Sequence, residues 1–280
     1  MIEKKTTINC RGKIIDFSKA VVMGILNITP DSFYDGNAYN NKEKVHKRIQ
    51  QIVNEGALIV DIGAYSSRPG AAHISEYEEL NRLSPALEVV AKFFPNLVVS
   101  VDTFRSGVAR HVVNNYGVSI INDISAGGLD NKMFETVSKL NIPYIMMHMR
   151  GTPNNMQDFT SYNDLIPEII DYFAEKIYRL KNIGQKDIII DPGFGFSKKL
   201  DQNYELLKRL KEFNIFELPI LAGISRKSMI YKRLNISPEE ALNGTSVLNT
   251  IALLNGANIL RVHDVKEAVQ AVKLVETTFQ

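Results

Sequence analysis

Short runs of β-branched and other apolar residues alternate along this chain with longer segments of helical periodicity, and almost every run ends on a polar residue. The clearest is Ile188-Ile189-Ile190, which stops at Asp191 before Pro192-Gly193-Phe194-Gly195-Phe196. Apolar on both faces, such a run reads as a strand buried on both sides, and the Pro-Gly pair breaks it. The other runs end at Asn27, Asp61, Asp102, Asn122, His148, Ser225 and the Arg261/His263 pair. Between them, residues 42–56 place Val45, Ile49, Ile52 and Val53 on one helical face. Residues 75–94, 105–116, 132–140, 165–183, 203–213 and 241–254 also read as helices, and Asp264 caps a last one that runs through Phe279. Another is expected to begin at Ser225-Arg226-Lys227-Ser228.

Strands are predicted over 21–26, 58–63, 97–101, 119–121, 143–147, 188–191, 219–224 and 258–262. Eight strand-then-helix units describe an α/β fold, a single (β/α)8 TIM barrel, whose polar strand ends gather at one rim. Residues 6–17 read as a β-hairpin turning at Arg11-Gly12, expected to close the bottom of the barrel. With no Pro/Ser-rich linker or low-complexity tract in 280 residues, one domain is expected over 1–280, the barrel starting near residue 20.

Bulk charge narrows the partners. Lys+Arg total 33 against Asp+Glu 31, a formal charge of +2, which points to neither nucleic acid nor an acidic membrane surface. No apolar run reaches the roughly 20 residues of a membrane span. The start Met1-Ile2-Glu3-Lys4-Lys5 has no signal-peptide core, so a cytoplasmic location is expected. Cys10 stands alone, which excludes a disulfide framework.

The rim residues fall into two groups. Asp102, Asn122 and Asp191 offer acceptors suited to a flat heterocycle rich in N–H donors, unless each is spent on an ion pair with a rim lysine or arginine. Arg261, His263 and Lys227 follow the last two strands, where barrels of this kind often bind phosphate. Asn27 supplies an oxygen suited to Mg²⁺ held mainly by water and phosphate. The expected picture is an acidic wall beside a basic wall, with a heterocycle at one end of the ligand and a diphosphate at the other. Nothing has the spacing of a nucleophile-plus-base unit or a zinc site. Met146, Met147 and Met149 read as barrel packing.

These residues resemble the dihydropteroate synthase family. The segments Met23-Gly24-Ile25-Leu26-Asn27-Ile28-Thr29-Pro30-Asp31-Ser32-Phe33 and Ser66-Ser67-Arg68-Pro69-Gly70 are similar to its two signatures. Asp102-Thr103, Asn122-Asp123, Met147-His148-Met149, Asp191-Pro192-Gly193-Phe194-Gly195-Phe196, Ser225-Arg226-Lys227-Ser228 and Arg261-Val262-His263-Asp264 follow in the family's order. The resemblance implies condensation of 6-hydroxymethyl-7,8-dihydropterin diphosphate with 4-aminobenzoate, inhibition by sulfonamides, Mg²⁺ as cofactor and a homodimer. It assigns Asp102, Asp191 and Lys227 to catalysis, and Asp102, Asn122, Asp191, Lys227, Met147 and Phe196 to the pterin. Asn27, Ser67, Arg261 and His263 would take the diphosphate, with Asn27 on the metal. Phe33, Ser67, Arg68, Pro69, Phe196 and Ser225 would take the aminobenzoate, its carboxylate meeting Ser225 at a helix N-terminus. Loops 28–36 and 64–72 would close over the site.

The chain departs from that pattern at Tyr65, where the family usually has Glu, which predicts a changed loop anchorage without loss of activity. Three other readings stay open: a pterin-dependent methyltransferase acting on a corrinoid, a silent pterin-binding protein, and a phosphate-binding aldolase barrel. Val247, Ile251 and Leu254 read either as core or as dimer interface.

Overall fold

A computed structural model of the chain describes residues 6–28, 38–66 and 73–279. Two short strands, β1 (Thr7–Cys10) and β2 (Lys13–Asp16), pair antiparallel around Arg11 and Gly12. Both turn residues have positive φ, 55° and 93°, as a two-residue turn that matches strand twist requires.

Strand then alternates with helix: β3 (Val21–Asn27), α1 (Ala38–Asn54), β4 (Ile59–Gly63), α2 (Glu76–Phe93), β5 (Val98–Asp102), α3 (Ser106–Tyr116), β6 (Ile120–Asp123), α4 (Met133–Leu140) and β7 (Tyr144–Met147). The chain continues through α5 (Leu165–Asn182), β8 (Ile188–Asp191), α6 (Leu200–Lys208), β9 (Leu221–Ala222), α7 (Ser228–Leu234), α8 (Leu242–Leu254), β10 (Ile259–Val262) and α9 (Val265–Phe279). The eight strands β3–β10 lie in the order β8-β7-β6-β5-β4-β3-β10-β9, each pairing parallel. A parallel bridge between Ile190 and Ile220 joins the two edges, so the sheet is a nearly closed barrel.

Side chains alternate across each strand. Val22, Val60, Val99, Ile121, Tyr144, Ile188, Ala222 and Leu260 pack outward in the large core shared with the helices. Met23, Ile59, Val98, Ile120, Ile145, Ile189, Leu221 and Ile259 meet inside the barrel, together with Ile8, Cys10, Ile15 and Phe17 of the hairpin and its exit. The hairpin therefore plugs the N-terminal end, as its pattern predicted. Burial pushes the Cys10 thiol up to about 12, so it is inert packing.

Two boundaries differ from the sequence reading. The helix expected over 203–213 is α6 followed by a 3₁₀ stretch, Leu210–Phe216. The strand expected over 219–224 shrinks to β9, and at its start Pro219 has no N–H to donate to a ladder. Its carbonyl still accepts from Ile190 at 3.0 Å. Among the described residues, no helix is long and apolar enough to cross a membrane.

Candidate active site

Register brings the strand ends level. Asn27 pairs with Gly63, Gly63 with Asp102, and Asp102 with Asn122, while Asp191 pairs with Met147 on the far side. Gly63 separates its two polar neighbours without filling the space between them: a Cβ there would lie 3.4 Å from the Cβ of Asp102 and 3.7 Å from Oδ1 of Asn27.

The centre of the rim is an ion network. Arg261 donates from Nε to Oδ2 of Asp61 at 2.7 Å and from Nη2 to Oδ2 of Asp102 at 2.9 Å. The same Asp61 oxygen accepts from Nδ2 of Asn122 at 3.1 Å. Asp61 is completely buried, whereas the Asp102 and Arg261 side chains keep 22% and 19% of their surface for a ligand. Burial raises the Asp102 carboxyl to about 7 against the pull of Arg261. Burial also disfavours the Arg261 cation, yet Asp61 and Asp102 outweigh it and hold the guanidinium above its ordinary value. The expected separation into an acidic and a basic wall is therefore corrected: the main cation lies between two of the acids, because a buried charge is tolerable only when paired.

Asp191 and Lys227 lie on either side of Gly223, where a Cβ would be 3.9 Å from Oδ2 of Asp191 and 3.8 Å from Nζ of Lys227. Burial raises the Asp191 carboxyl while Lys227 opposes the shift. Lys227 is lowered to about 8 by burial, with Asp191 resisting. Its ammonium donates to the carbonyl of Phe194 and sits 4.7 Å from the centroid of the Phe196 ring. The loop that presents these groups is locally determined. Gly193, at φ 76°, donates its N–H to Oδ1 of Asp191 at 2.8 Å, and any Cβ there would collide with the His148 carbonyl. Lys198, buried beneath the loop, donates to the carbonyls of Gly193 and Phe196 and to Nδ1 of His148, each at 3.0 Å. Burial keeps His148 well below its ordinary value, so it is neutral.

Three expectations about the last strands are corrected. Burial, reinforced by Arg261, lowers His263 to about 4, so it is neutral at pH 7 and adds no cation. Ser225 is not at a helix N-terminus: Arg226 takes φ 54° and α7 begins only at Ser228. The Ser225 hydroxyl oxygen accepts the His263 N–H at 3.2 Å and lies 3.1 Å from its Nδ1, leaving the residue 4% exposed. Arg226 clasps Asp264 through two bonds of 2.7 and 2.8 Å, so the carboxylate expected to cap α9 forms an ion pair instead.

An apolar shelf borders the network. Met147 joins Phe104, Ile124, Met149 and Met156 in a cluster on the rim, with Phe196, Leu129 and Tyr65 partly buried against it. Met146 instead packs among the helices. Tyr65 lies edge-on to Phe104 at 5.0 Å, and its hydroxyl is 3.3 Å from Nδ1 of His73. The Arg105 guanidinium covers its ring at 5.4 Å, so position 65 is anchored by ring contacts instead of a carboxylate. Phe33, Ser67, Arg68 and Pro69, with most of loops 28–36 and 64–72, lie outside the described residues.

Among the described residues no three His, Cys, Asp or Glu side chains cluster as a metal cage. Asn27, exposed beside Gly63, offers a single neutral oxygen, which fits a Mg²⁺ that takes most of its ligands from phosphate and water. Two residues of the site carry no role in the sequence reading. Asp61 was visible only as one of several strand-end acids, and a buried lysine such as Lys198 leaves no pattern at all.

Known proteins share the sequence and the fold over most of the chain. The family model described as pterin binding enzyme matches residues 23–263. The dihydropteroate synthase of Escherichia coli strain K12 is 44% identical over 270 residues, covering 96% of this chain and 95% of the relative. The solved dihydropteroate synthase of Yersinia pestis, in complex with a sulfonamide drug, superposes with a TM-score of 0.89 at 42% identity, covering 97% of this chain and 98% of that one. That of Xanthomonas albilineans with 4-aminobenzoic acid gives a TM-score of 0.89 at 34% identity, covering 98% of each chain. A family model that spans most of the chain, a relative matched over nearly its whole length and a common barrel together place the chain in the pterin-binding enzyme family, among the dihydropteroate synthases.

Proposed function

We propose that this chain condenses 6-hydroxymethyl-7,8-dihydropterin diphosphate with 4-aminobenzoate, releasing 7,8-dihydropteroate and diphosphate. The observation that carries the reading is the single rim network in which Asp102, Asn122, Asp191, Lys227 and Arg261 converge. Acceptors at Asp102, Asn122 and Asp191 match the N–H-rich edge of a pterin, while Met147 and Phe196 supply apolar surface for its ring. Arg261 and Lys227, neighbours of the same carboxylates, face the anionic end of the substrate. His263 contributes as a neutral hydrogen-bonding group. Phe33, Ser67, Arg68, Pro69 and Phe196 complete the aminobenzoate side.

An arylamine is neutral at pH 7, so its lone pair needs no general base. The demanding step is cleavage of the methylene C–O bond, whose electron pair leaves with diphosphate. Positive charge spreading from the methylene into the ring is stabilised by Asp102 and Asp191, which are fixed at the rim. The amine nitrogen then forms the C–N bond and sheds its proton to solvent. Mg²⁺, held by Asn27 and the diphosphate oxygens, would neutralise charge on the leaving group when bound. Closure of the two loops would keep water from consuming the cation.

The same reading makes sulfonamides competitors of 4-aminobenzoate and places the protein in the cytoplasm. It also makes the protein a homodimer through α8 and α9, where Val247, Leu254, Leu274 and Phe279 are exposed at 51%, 52%, 69% and 70%. Diphosphate release on mixing both substrates, absent with either alone, tests the activity. A normal secondary deuterium isotope effect at the methylene tests the cationic step, and a value of unity would contradict it. Sedimentation of the full chain tests the dimer.

A further inference from the structure

We infer that Asp61 is a positioning residue of the rim, a buried carboxylate that holds the Asn122 amide with its oxygen presented to the ligand and orients Arg261 against Asp102. The inference rests on the proposed pterin chemistry and adds to it a residue that touches no substrate.

The argument begins with what each group can do. A carboxylate accepts and never donates, whereas a primary amide carries one acceptor oxygen and a two-hydrogen donor nitrogen. Asp61 is fully buried on β4, with Oδ2 3.1 Å from Nδ2 of Asn122 and 2.7 Å from Nε of Arg261. Facing an obligate acceptor, Asn122 can satisfy the contact only with its nitrogen. The amide is thereby held in one of its two flips, with its oxygen left to accept from a ligand beside the second N–H of the same nitrogen.

That choice decides what the rim recognises. With Asn122 in this flip, Asp102, Asp191 and position 122 all present acceptors, which suits a heterocycle edge made of N–H groups. In the opposite flip position 122 would present a donor to another donor. The same Asp61 oxygen takes one edge of the Arg261 fork while Asp102 takes another, 2.9 Å from Nη2. Two carboxylates on adjacent strands thus fix the plane of the guanidinium, which a lone surface acid would not do. Among the described residues Oδ1 of Asp61 is buried with no hydrogen-bond partner, as is Oγ of its register neighbour Ser100. Retaining the charge at this depth is explained by the two donors it directs.

The test uses two variants of the full chain. Asp61→Asn offers either an oxygen or a nitrogen to Asn122 and so releases the flip. The exchange Asp61→Asn with Asn122→Asp keeps the net charge, lets the new amide donate to the new carboxylate, and restores an acceptor to the ligand from position 122. Calorimetric titration with 6-hydroxymethyl-7,8-dihydropterin reads the pterin site directly, and steady-state kinetics at saturating pterin substrate read the KM for 4-aminobenzoate. The single variant is expected to weaken pterin binding about 10- to 100-fold, the size of effect outer partners commonly have. Its aminobenzoate KM should stay within about twofold, and the exchange should recover at least about tenfold of the lost affinity.

Pterin affinity in folded Asp61→Asn within about twofold of wild type overturns the inference, as does an exchange variant that binds no better than the single one. If thermal melting shows the single variant unfolded, the exchange alone decides. Binding within about tenfold of wild type supports the assignment, and weaker binding overturns it. Wild-type protein that binds no pterin and releases no diphosphate would instead refute the proposed function itself.

Discussion

The two layers inside the barrel are made by the same strands from side chains two residues apart. Below, Ile59, Val98, Ile120, Ile145, Ile189, Leu221 and Ile259 form an apolar layer sealed by the hairpin. About 7 Å higher along each strand, at the usual rise of about 3.3 Å per residue, stand Asp61, Ser100, Asn122, Met147, Asp191, Gly223 and Arg261. Strand pairing is common to both layers; what differs is how the side chains are held. The lower layer depends on shape and volume alone. The upper one depends on each charge finding a partner, and those partners come from strands far apart in sequence, such as Asp61 and Arg261. One half of the interior therefore stores stability, and the other half spends some of it to keep poorly solvated charges ready for a ligand.

The sharpest way to break that contrast is Arg261→Met. It strands Asp61 as a buried, uncompensated charge, so unfolding in urea should register a loss of about 3–5 kcal/mol. The rate constant kcat/KM should also fall at least about 100-fold. A stable, active variant would show that the upper network is ornamental. Ile145→Ala probes the other layer. Opening a cavity there should cost about 2–5 kcal/mol in the same denaturation experiment, with kcat/KM at 25 °C within about twofold of wild type. A large activity loss in a folded variant would mean that the layers are not separable.

Acidity sharpens the comparison further. With Asp102 raised to about 7 and Lys227 lowered to about 8, kcat/KM for the dihydropterin substrate should trace a bell between those values. Below about 7 Asp102 carries a proton and cannot accept, and above about 8 Lys227 loses its charge; a flat profile from pH 6 to 9 would contradict both roles. The sign for stability follows from the same carboxyl. In the unfolded chain Asp102 ionises near 4, so between about 4 and 7 the folded state binds the proton that the unfolded state releases. Its contribution is therefore fully present below about 4 and declines as pH rises towards 7. Asp102→Asn should remove that decline from a series of urea curves. The smallest effect is expected at Tyr65→Phe, which removes only a 3.3 Å contact to His73 and keeps the ring packing. Its unfolding free energy should change by no more than about 0.5 kcal/mol.

Much of the site was legible because barrel strands end in the residues that face the ligand. Asp102, Asn122, Asp191 and Arg261 all stand at strand ends, and the break at Pro192-Gly193 marks where β8 gives way to its loop. The state of those residues was not legible. His263 looked like a cation and is neutral, because the dielectric around a histidine depends on what covers it and on the charge of Arg261 two residues away. Ser225 looked like the start of a helix, but a left-handed Arg226 delays α7 by three residues and its hydroxyl is taken by His263.

The pattern of apolar runs and helical segments by itself determined the barrel, its hairpin plug and the end at which polar residues gather. Those are consequences of periodicity, and periodicity is local: a side chain two residues on faces the same side of a strand whatever lies across from it. Only the tertiary structure decided which acid pairs with Arg261, which way the Asn122 amide is turned, and which titratable groups carry charge. These depend on distances between residues as much as 200 positions apart in sequence, as with Arg261 and Asp61, and on the solvent their packing excludes. Electrostatic energy varies with both, so it is set when the strands close into a barrel and not before.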